Sequence, residues 1–215
     1  MTFLNTSLNW FLDALFPPCC IICRKGDVFL CETHQAFPPP PVNQADFHHL
    51  DNIHATTQYK DPTVEKVVEY FKFQGFQGLA PFIAQAMIEK APPHFFENAV
   101  IVPIPLHWTR RLWRGFNQSE LLAQEIHHLL PEVPVILLLK RPKRTQQQAQ
   151  LHKKERTLNV SDAFAIDPQY PIPQRIILID DVVASGATLD SAAKVLKSQG
   201  AKEVVGLVFA RGGGN

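Results

Sequence analysis

The apolar positions of this chain repeat in two ways. Leu4, Leu8, Phe11, Leu12, Leu15 and Phe16 recur at helical spacing and stop before Pro17-Pro18, which predicts an amphipathic helix. Beyond residue 50, short apolar runs alternate with helical stripes. Residues 53–59 read as a strand. Val64, Val67, Val68 and Phe71 share one helical face, and residues 79–90 read as a second helix. Residues 99–102 make a short apolar strand that runs into Pro103-Ile104-Pro105. Asn117 stands as an N-cap with Glu120 three residues on, a capping-box start to a helix reaching about residue 130. Residues 133–139, 175–179 and 203–209 read as further strands. Ile176-Ile177-Leu178-Ile179 is apolar without a break, as in a strand covered on both faces, and two acidic residues stand where it ends. A last helix spans residues 189–200, with Leu189, Ala192, Ala193, Val195 and Leu196 apolar and Gly200 as its stop. Strands alternating with helices imply an α/β fold, a mostly parallel sheet flanked by helices.

Phe37-Pro38-Pro39-Pro40-Pro41 is a stiff extended linker. It predicts a boundary between a small amino-terminal module, residues 1–41, and a main domain, residues 42–215. A chain of 215 residues holds one α/β domain plus such an appendage. Apolar content of 46% and charged content of 19% fit a folded globular protein. A net charge of +1 gives no global attraction for nucleic acid. The charge is local: residues 140–156 hold seven Lys or Arg and one Glu. Neither a secretory leader nor an 18-residue apolar run is visible, so a cytoplasmic protein with reduced cysteines and no membrane span is expected.

The module carries the first candidate chemistry. Cys20-x2-Cys23 and Cys31-x2-His34 are two metal-ligand pairs seven residues apart. Zn²⁺ takes four S or N ligands in a tetrahedron, and each pair supplies two. Cys20, Cys23, Cys31 and His34 are therefore the expected ligands of a structural Zn²⁺, with Cys19 left over. Metal binding would order a segment too short for a core of its own.

The main domain carries three anion-seeking segments. The apolar run 176–179 leads into Asp180-Asp181, then Val182-Val183-Ala184-Ser185-Gly186-Ala187-Thr188 and a helix. A small-residue loop that feeds a helix start offers free N–H groups and the positive end of the helix dipole. Ala184, Ser185, Gly186, Ala187 and Thr188 are expected to cradle a phosphate, and Gly186 has no side chain to block it. Asp180 and Asp181 can accept bonds from sugar hydroxyls or hold a hydrated Mg²⁺. Together they suggest a phosphorylated sugar. After strand 99–102 comes a loop with Arg110, Arg111 and Arg114, whose guanidinium groups suit a polyphosphate. In an open α/β sheet both loops fall at the carboxyl ends of strands, where ligands bind. The third segment, with Lys140, Arg141, Lys143, Arg144 and Arg156, lacks apolar periodicity. It reads as a basic lid over pyrophosphate, or as a track for a nucleic-acid backbone.

The Asp180-Asp181 string resembles the ribose-5-phosphate loop of type I phosphoribosyltransferases, which bind phosphoribosyl pyrophosphate (PRPP). Ser185 stands where the first threonine of that loop usually sits, and keeps its hydroxyl. Taken in order, the cysteine pairs, Val102-Pro103-Ile104-Pro105, Arg114-Gly115-Phe116-Asn117-Gln118, Thr145-x2-Gln148-x2-Leu151 with Arg156 and Asn159-Val160, and the acidic loop resemble the ComF/GntX family over nearly the whole chain. The resemblance implies a type I phosphoribosyltransferase fold with an amino-terminal zinc module. It implies PRPP with Mg²⁺ as ligand, Asp180 and Asp181 as the catalytic carboxylates, and a role in DNA uptake or the use of external DNA. A non-catalytic PRPP sensor, a single-stranded DNA-binding module and a scaffold for DNA-uptake proteins are the alternatives it leaves open.

Overall fold

The structure, a computed structural model, describes residues 19–40, 47–73, 76–141 and 164–212. Its elements in chain order begin with a short helix α1 (Glu32–Gln35), strand β1 (Asn52–Gln58) and helix α2 (Pro62–Phe73). A 3-10 turn (Gln77–Leu79) leads into α3 (Ala80–Lys90) and then β2 (Val100–Pro103). Helices α4 (Trp108–Arg114) and α5 (Gln118–Leu129) follow, then the two-residue strands β3 (Leu139–Lys140) and β4 (Ala165–Ile166). Strand β5 (Arg175–Val183), helix α6 (Ala187–Ser198) and strand β6 (Glu203–Arg211) complete the set.

β1, β6, β5 and β2 lie side by side in that order, and every pairing is parallel. Strand residues alternate between the two faces. Ile177 and Ile179 of β5 join Val64, Val67, Val68 and Phe71 of α2, Ile83 and Met87 of α3 and Leu122 and Ile126 of α5 in one apolar cluster. Ile176 and Leu178 join Leu189, Ala192, Ala193 and Leu196 of α6 in another. The unbroken apolar run of β5 is thus explained: helices cover the sheet on both sides. The four apolar residues that mark one face of α2 are its four buried residues.

Four differences from expectation have physical causes. β5 does not stop before the acidic pair; it runs to Val183, with Asp180 opposite Val208 and Val182 opposite Ala210. Parallel ladders are made by backbone groups, so two carboxylates do not end one if their side chains find partners. The arginine segment is not a plain loop but contains α4, which has no buried residue. Residues 133–139 make only an isolated bridge, Val135 with Ile101, before β3. Pro134 lacks an N–H for a ladder, although its carbonyl accepts from Ile101 N–H at 2.9 Å. Asn117 caps α5 by accepting from Ser119 N–H at 3.2 Å, while Glu120 turns outward to Arg111 instead of closing a capping box.

The proline-rich segment packs on the main domain. Phe37 is buried edge-on against Phe209, with ring centres 5.0 Å apart. Its carbonyl accepts from Lys90 Nζ, and the Pro38 carbonyl accepts from Thr57 Oγ1 at 2.6 Å. The helix expected over residues 4–16 lies outside the described residues, as do Lys143, Arg144 and Arg156. No helix among the described residues is long and apolar enough to cross a membrane.

Candidate functional site

The carboxyl ends of β2 and β5 open onto a pocket of about 180 Å³. Asp180, Asp181 and Val182 form its floor from β5, and Thr188 reaches it from the first turn of α6. Arg110 and Arg114 of α4, Gln118 and Ser119 of α5 and Arg141 after β3 complete the polar wall, together with Lys72 of α2. Of the residues that sequence reasoning puts at the ligand, Asp180, Asp181, Thr188, Arg110, Arg114 and Arg141 come together here. Arg111 faces the other way, toward Glu120 at 3.4 Å. Lys140 pairs with Asp167 at 2.7 Å. Ala184, Ser185 and Ala187 are exposed on the loop, and Ser185 Oγ accepts from Ala187 N–H at 3.4 Å.

Gly186 is buried and has a second reason to be glycine. Its φ is +80°, a left-handed conformation that side chains disfavour. A Cβ there would lie 2.4 Å from the Phe47 ring. The Phe47 ring by itself demands the missing side chain.

The acidic pair is held from three sides. Asp180 Oδ1 accepts from Ser119 Oγ at 3.0 Å and from Asp181 N–H at 2.9 Å. Asp181 Oδ1 accepts from Val182 N–H at 2.6 Å and lies 3.0 Å from Lys72 Nζ. Burial, reinforced by the neighbouring Asp181 charge, pushes the Asp180 carboxyl up to about 7. Burial also pulls the Arg114 guanidinium below its ordinary value, while Asp181 and Asp180 pull the other way. Two carboxylates facing one cavity form a hard-oxygen donor set suited to Mg²⁺, and the lysine already drawn to them shows that the site favours a positive charge.

Sequence reasoning missed Lys72, Gln118 and Ser119. Lys72 lies one residue beyond the buried stripe of α2, where a lysine ordinarily reads as a solvated helix end. Gln118 is 2% exposed, and its Oε1 accepts from Arg114 at 3.1 Å. Its Nε2 and Arg114 Nε are buried donors without partners. Buried donors without partners are costly and mark a site shaped for acceptors.

The second candidate site is the cysteine module. The ligand atoms of Cys20, Cys23, Cys31 and His34 all lie within 4.8 Å of one another. Zn–S bonds of about 2.3 Å in a tetrahedron set sulfur atoms ~3.8 Å apart. Cys23 Sγ and Cys31 Sγ are 3.7 Å apart, and Cys20 Sγ is 3.6 Å from His34 Nδ1. The geometry and donor types fit a zinc ion. Burial pushes the Cys20 thiol up, but N–H groups of Cys23, Cys31 and Ile22 outweigh it and bring the thiol down to about 6. A bond from His34 holds the Cys31 thiol below its ordinary value as well. These two shifts favour the thiolates that a metal binds, while burial and the neighbouring Cys20 and Cys31 push the Cys23 thiol up.

Residues 115–214 match the family described as phosphoribosyl transferase domain. Competence protein F of Haemophilus influenzae is 31% identical over 146 residues, which cover 64% of this chain and 63% of that protein. DNA utilization protein YhgH of Salmonella typhi is 37% identical over 150 residues, 66% of this chain and 65% of that protein. Competence protein ComFC of Streptococcus pneumoniae is 33% identical over 134 residues, 62% and 57% of the two chains. The chain thus spans 57–65% of the length of these relatives. A parallel sheet with its acidic pair at a basic pocket, a Cys3His cluster ahead of it and these matches point the same way: residues 115–214 match a phosphoribosyl transferase domain, and the chain is similar to the competence protein F and ComFC proteins.

Proposed function

We propose that this protein binds PRPP with Mg²⁺ in the pocket above β5 and serves DNA uptake or the use of external DNA as a phosphoribosyltransferase-like protein. The observation that carries the reading is the convergence of Asp180, Asp181 and Thr188 with Arg110, Arg114 and Arg141 on one cavity. The carboxylates take the ribose hydroxyls and the metal. The first turn of α6 takes the 5-phosphate. Arg110 and Arg114 take the pyrophosphate, which is the leaving group in a transfer reaction. Mg²⁺, when bound, offsets charge on the pyrophosphate oxygens. Relatives named for competence and for DNA utilization support the cellular role. Calorimetric titration of the full chain with PRPP and Mg²⁺ is the direct test. Saturable binding with release of pyrophosphate on addition of an acceptor supports transfer. Saturable binding without turnover supports a sensor. No binding at millimolar PRPP rejects the reading.

A second reading is favoured by a different observation. Phe73 and Trp113 are 55% and 71% exposed, with ring centres 5.9 Å apart, beside Arg110 and Arg114. Exposed aromatic rings among arginines suit the stacked bases and phosphates of single-stranded DNA. Binding that weakens steeply with salt, and weakens further in Trp113→Ala, would support it.

A further inference from the structure

We propose that Lys72 is an exchangeable cation: it pairs with Asp181 while the pocket is empty, and it moves to the pyrophosphate oxygens when a metal-bound ligand takes its place at the carboxylates. The inference rests on the PRPP reading and adds to it a residue that exchanges partners during binding.

Lys72 Nζ lies 3.0 Å from Asp181 Oδ1, and the lysine side chain is 18% exposed. The pair is enclosed within the same cavity as Asp180, Arg110, Arg114 and Arg141. Lys72 sits in the last turn of α2, and the preceding Phe71 is buried in the core with Val68. The backbone under Lys72 is therefore fixed, while its four-carbon stem leaves the ammonium free to swing. An ammonium is a compact charge with three donors, and it stands in for a metal at a carboxylate better than a guanidinium does.

A metal cannot join it there. Mg²⁺ binds a carboxylate oxygen at about 2.0–2.1 Å and keeps its remaining positions for water and phosphate oxygens. Asp181 Oδ1 already accepts from Val182 N–H at 2.6 Å and from Lys72 Nζ at 3.0 Å, so that oxygen has no lone pair left for a metal, and the ammonium beside it would repel the ion. The incoming metal must displace the ammonium. The ligand arrives with a pyrophosphate, and the freed ammonium remains within the cavity beside Arg110 and Arg114. The acidic pair exchanges one cation for another, and Lys72 exchanges a carboxylate for a phosphate oxygen.

The proposal makes two effects of one substitution run in opposite directions. Lys72→Met removes the competitor, so calorimetry should find Mg²⁺ alone binding about tenfold tighter than in the wild type. The same variant lacks a phosphate contact, so Mg²⁺ with PRPP should bind about tenfold weaker. Lys72→Arg should restore part of the PRPP affinity. A lysine that merely held α2 in place would shift both affinities down together or neither, and either result overturns the proposal. If Lys72→Met does not fold, Lys72→Gln gives the same two measurements. A wild type that takes up no PRPP overturns the phosphoribosyl reading instead. The Mg²⁺ measurement needs no PRPP, and it then still decides whether Lys72 holds the metal's place.

Discussion

Asp180 and Asp181 are neighbours with different surroundings. Asp181 is buried and paired with Lys72 at 3.0 Å, while Asp180 has a serine hydroxyl and a backbone N–H as partners. On the proposed PRPP reading, Asp181→Asn removes a charge and part of the acceptor capacity that would face the metal and ribose. It should weaken binding of Mg²⁺ with PRPP by about 1.5–3 kcal/mol, roughly ten- to a hundredfold, as read by calorimetry. An unchanged affinity would remove Asp181 from the ligand. Asp180 makes a prediction about pH. Its carboxyl titrates at about 7 in the folded chain, against about 3.9 in an unfolded one. Between those values the native state holds a proton that the unfolded state has released, so this group's contribution to stability falls as pH rises. Asp180→Asn removes the titration. The stability of the ligand-free wild type minus that of Asp180→Asn should therefore decrease from about pH 5 to about pH 7.5 in urea denaturation. The subtraction cancels the titration of the cysteine cluster, which both proteins share. A difference that stayed flat or rose would show that Asp180 is not held neutral.

At the scale of elements, the sequence was most legible where burial sets the pattern. The stripe Val64, Val67, Val68 and Phe71 marked α2, and the run 176–179 marked a strand covered on both sides. Legibility failed where backbone or neighbours, not periodicity, decide. β5 continues through two aspartates because its ladder to β6 does not depend on side chains. α4 left no apolar stripe because it buries no residue, and Leu112 and Trp113 stay exposed. The candidate site followed the same division. Its carboxylates and arginines were visible as unusual local runs, but Lys72 comes from an element that looked ordinary and meets Asp181 only through tertiary packing. Gly186 has a structural reason to be glycine that sequence reasoning did not give it. A phosphate cradle alone predicts that Gly186→Ala harms binding and leaves stability intact. With a φ of +80° and the Phe47 ring 2.4 Å from an added Cβ, the substitution strains the start of α6 before any ligand arrives. Gly186→Ala should destabilise the ligand-free protein by about 1–2 kcal/mol from backbone strain, and more if Phe47 cannot move. Equal midpoints for the two proteins in denaturant would mean that the loop relaxes freely.

At the scale of the whole molecule, the zinc module and the sheet share one interior. Cys20, Ile21, Leu30, Cys31 and Phe37 belong to the same buried cluster as Phe71 of α2, Met87 of α3 and Phe209 of β6. A metal that orders the cysteine turns therefore stabilises the surface against which α2 packs, and α2 carries Lys72. Cys23→Ser tests this coupling cleanly. Cys23 is exposed, so the exchange of sulfur for oxygen removes a ligand without opening a cavity. Structural zinc supplies several kcal/mol of folding free energy, and a chain of this size moves by roughly 2–4 °C per kcal/mol. Cys23→Ser should contain less than stoichiometric zinc and melt on the order of 10 °C lower than the wild type. It should melt in one transition, because the module's described buried residues share one cluster with the helices and sheet of the main domain. Chelator treatment of the wild type should reproduce the shift, and added Zn²⁺ should reverse it. Two resolved transitions in calorimetry would show instead that the module and the sheet fold apart. A reduced protein that carries no metal and melts like Cys23→Ser would remove zinc from the fold altogether.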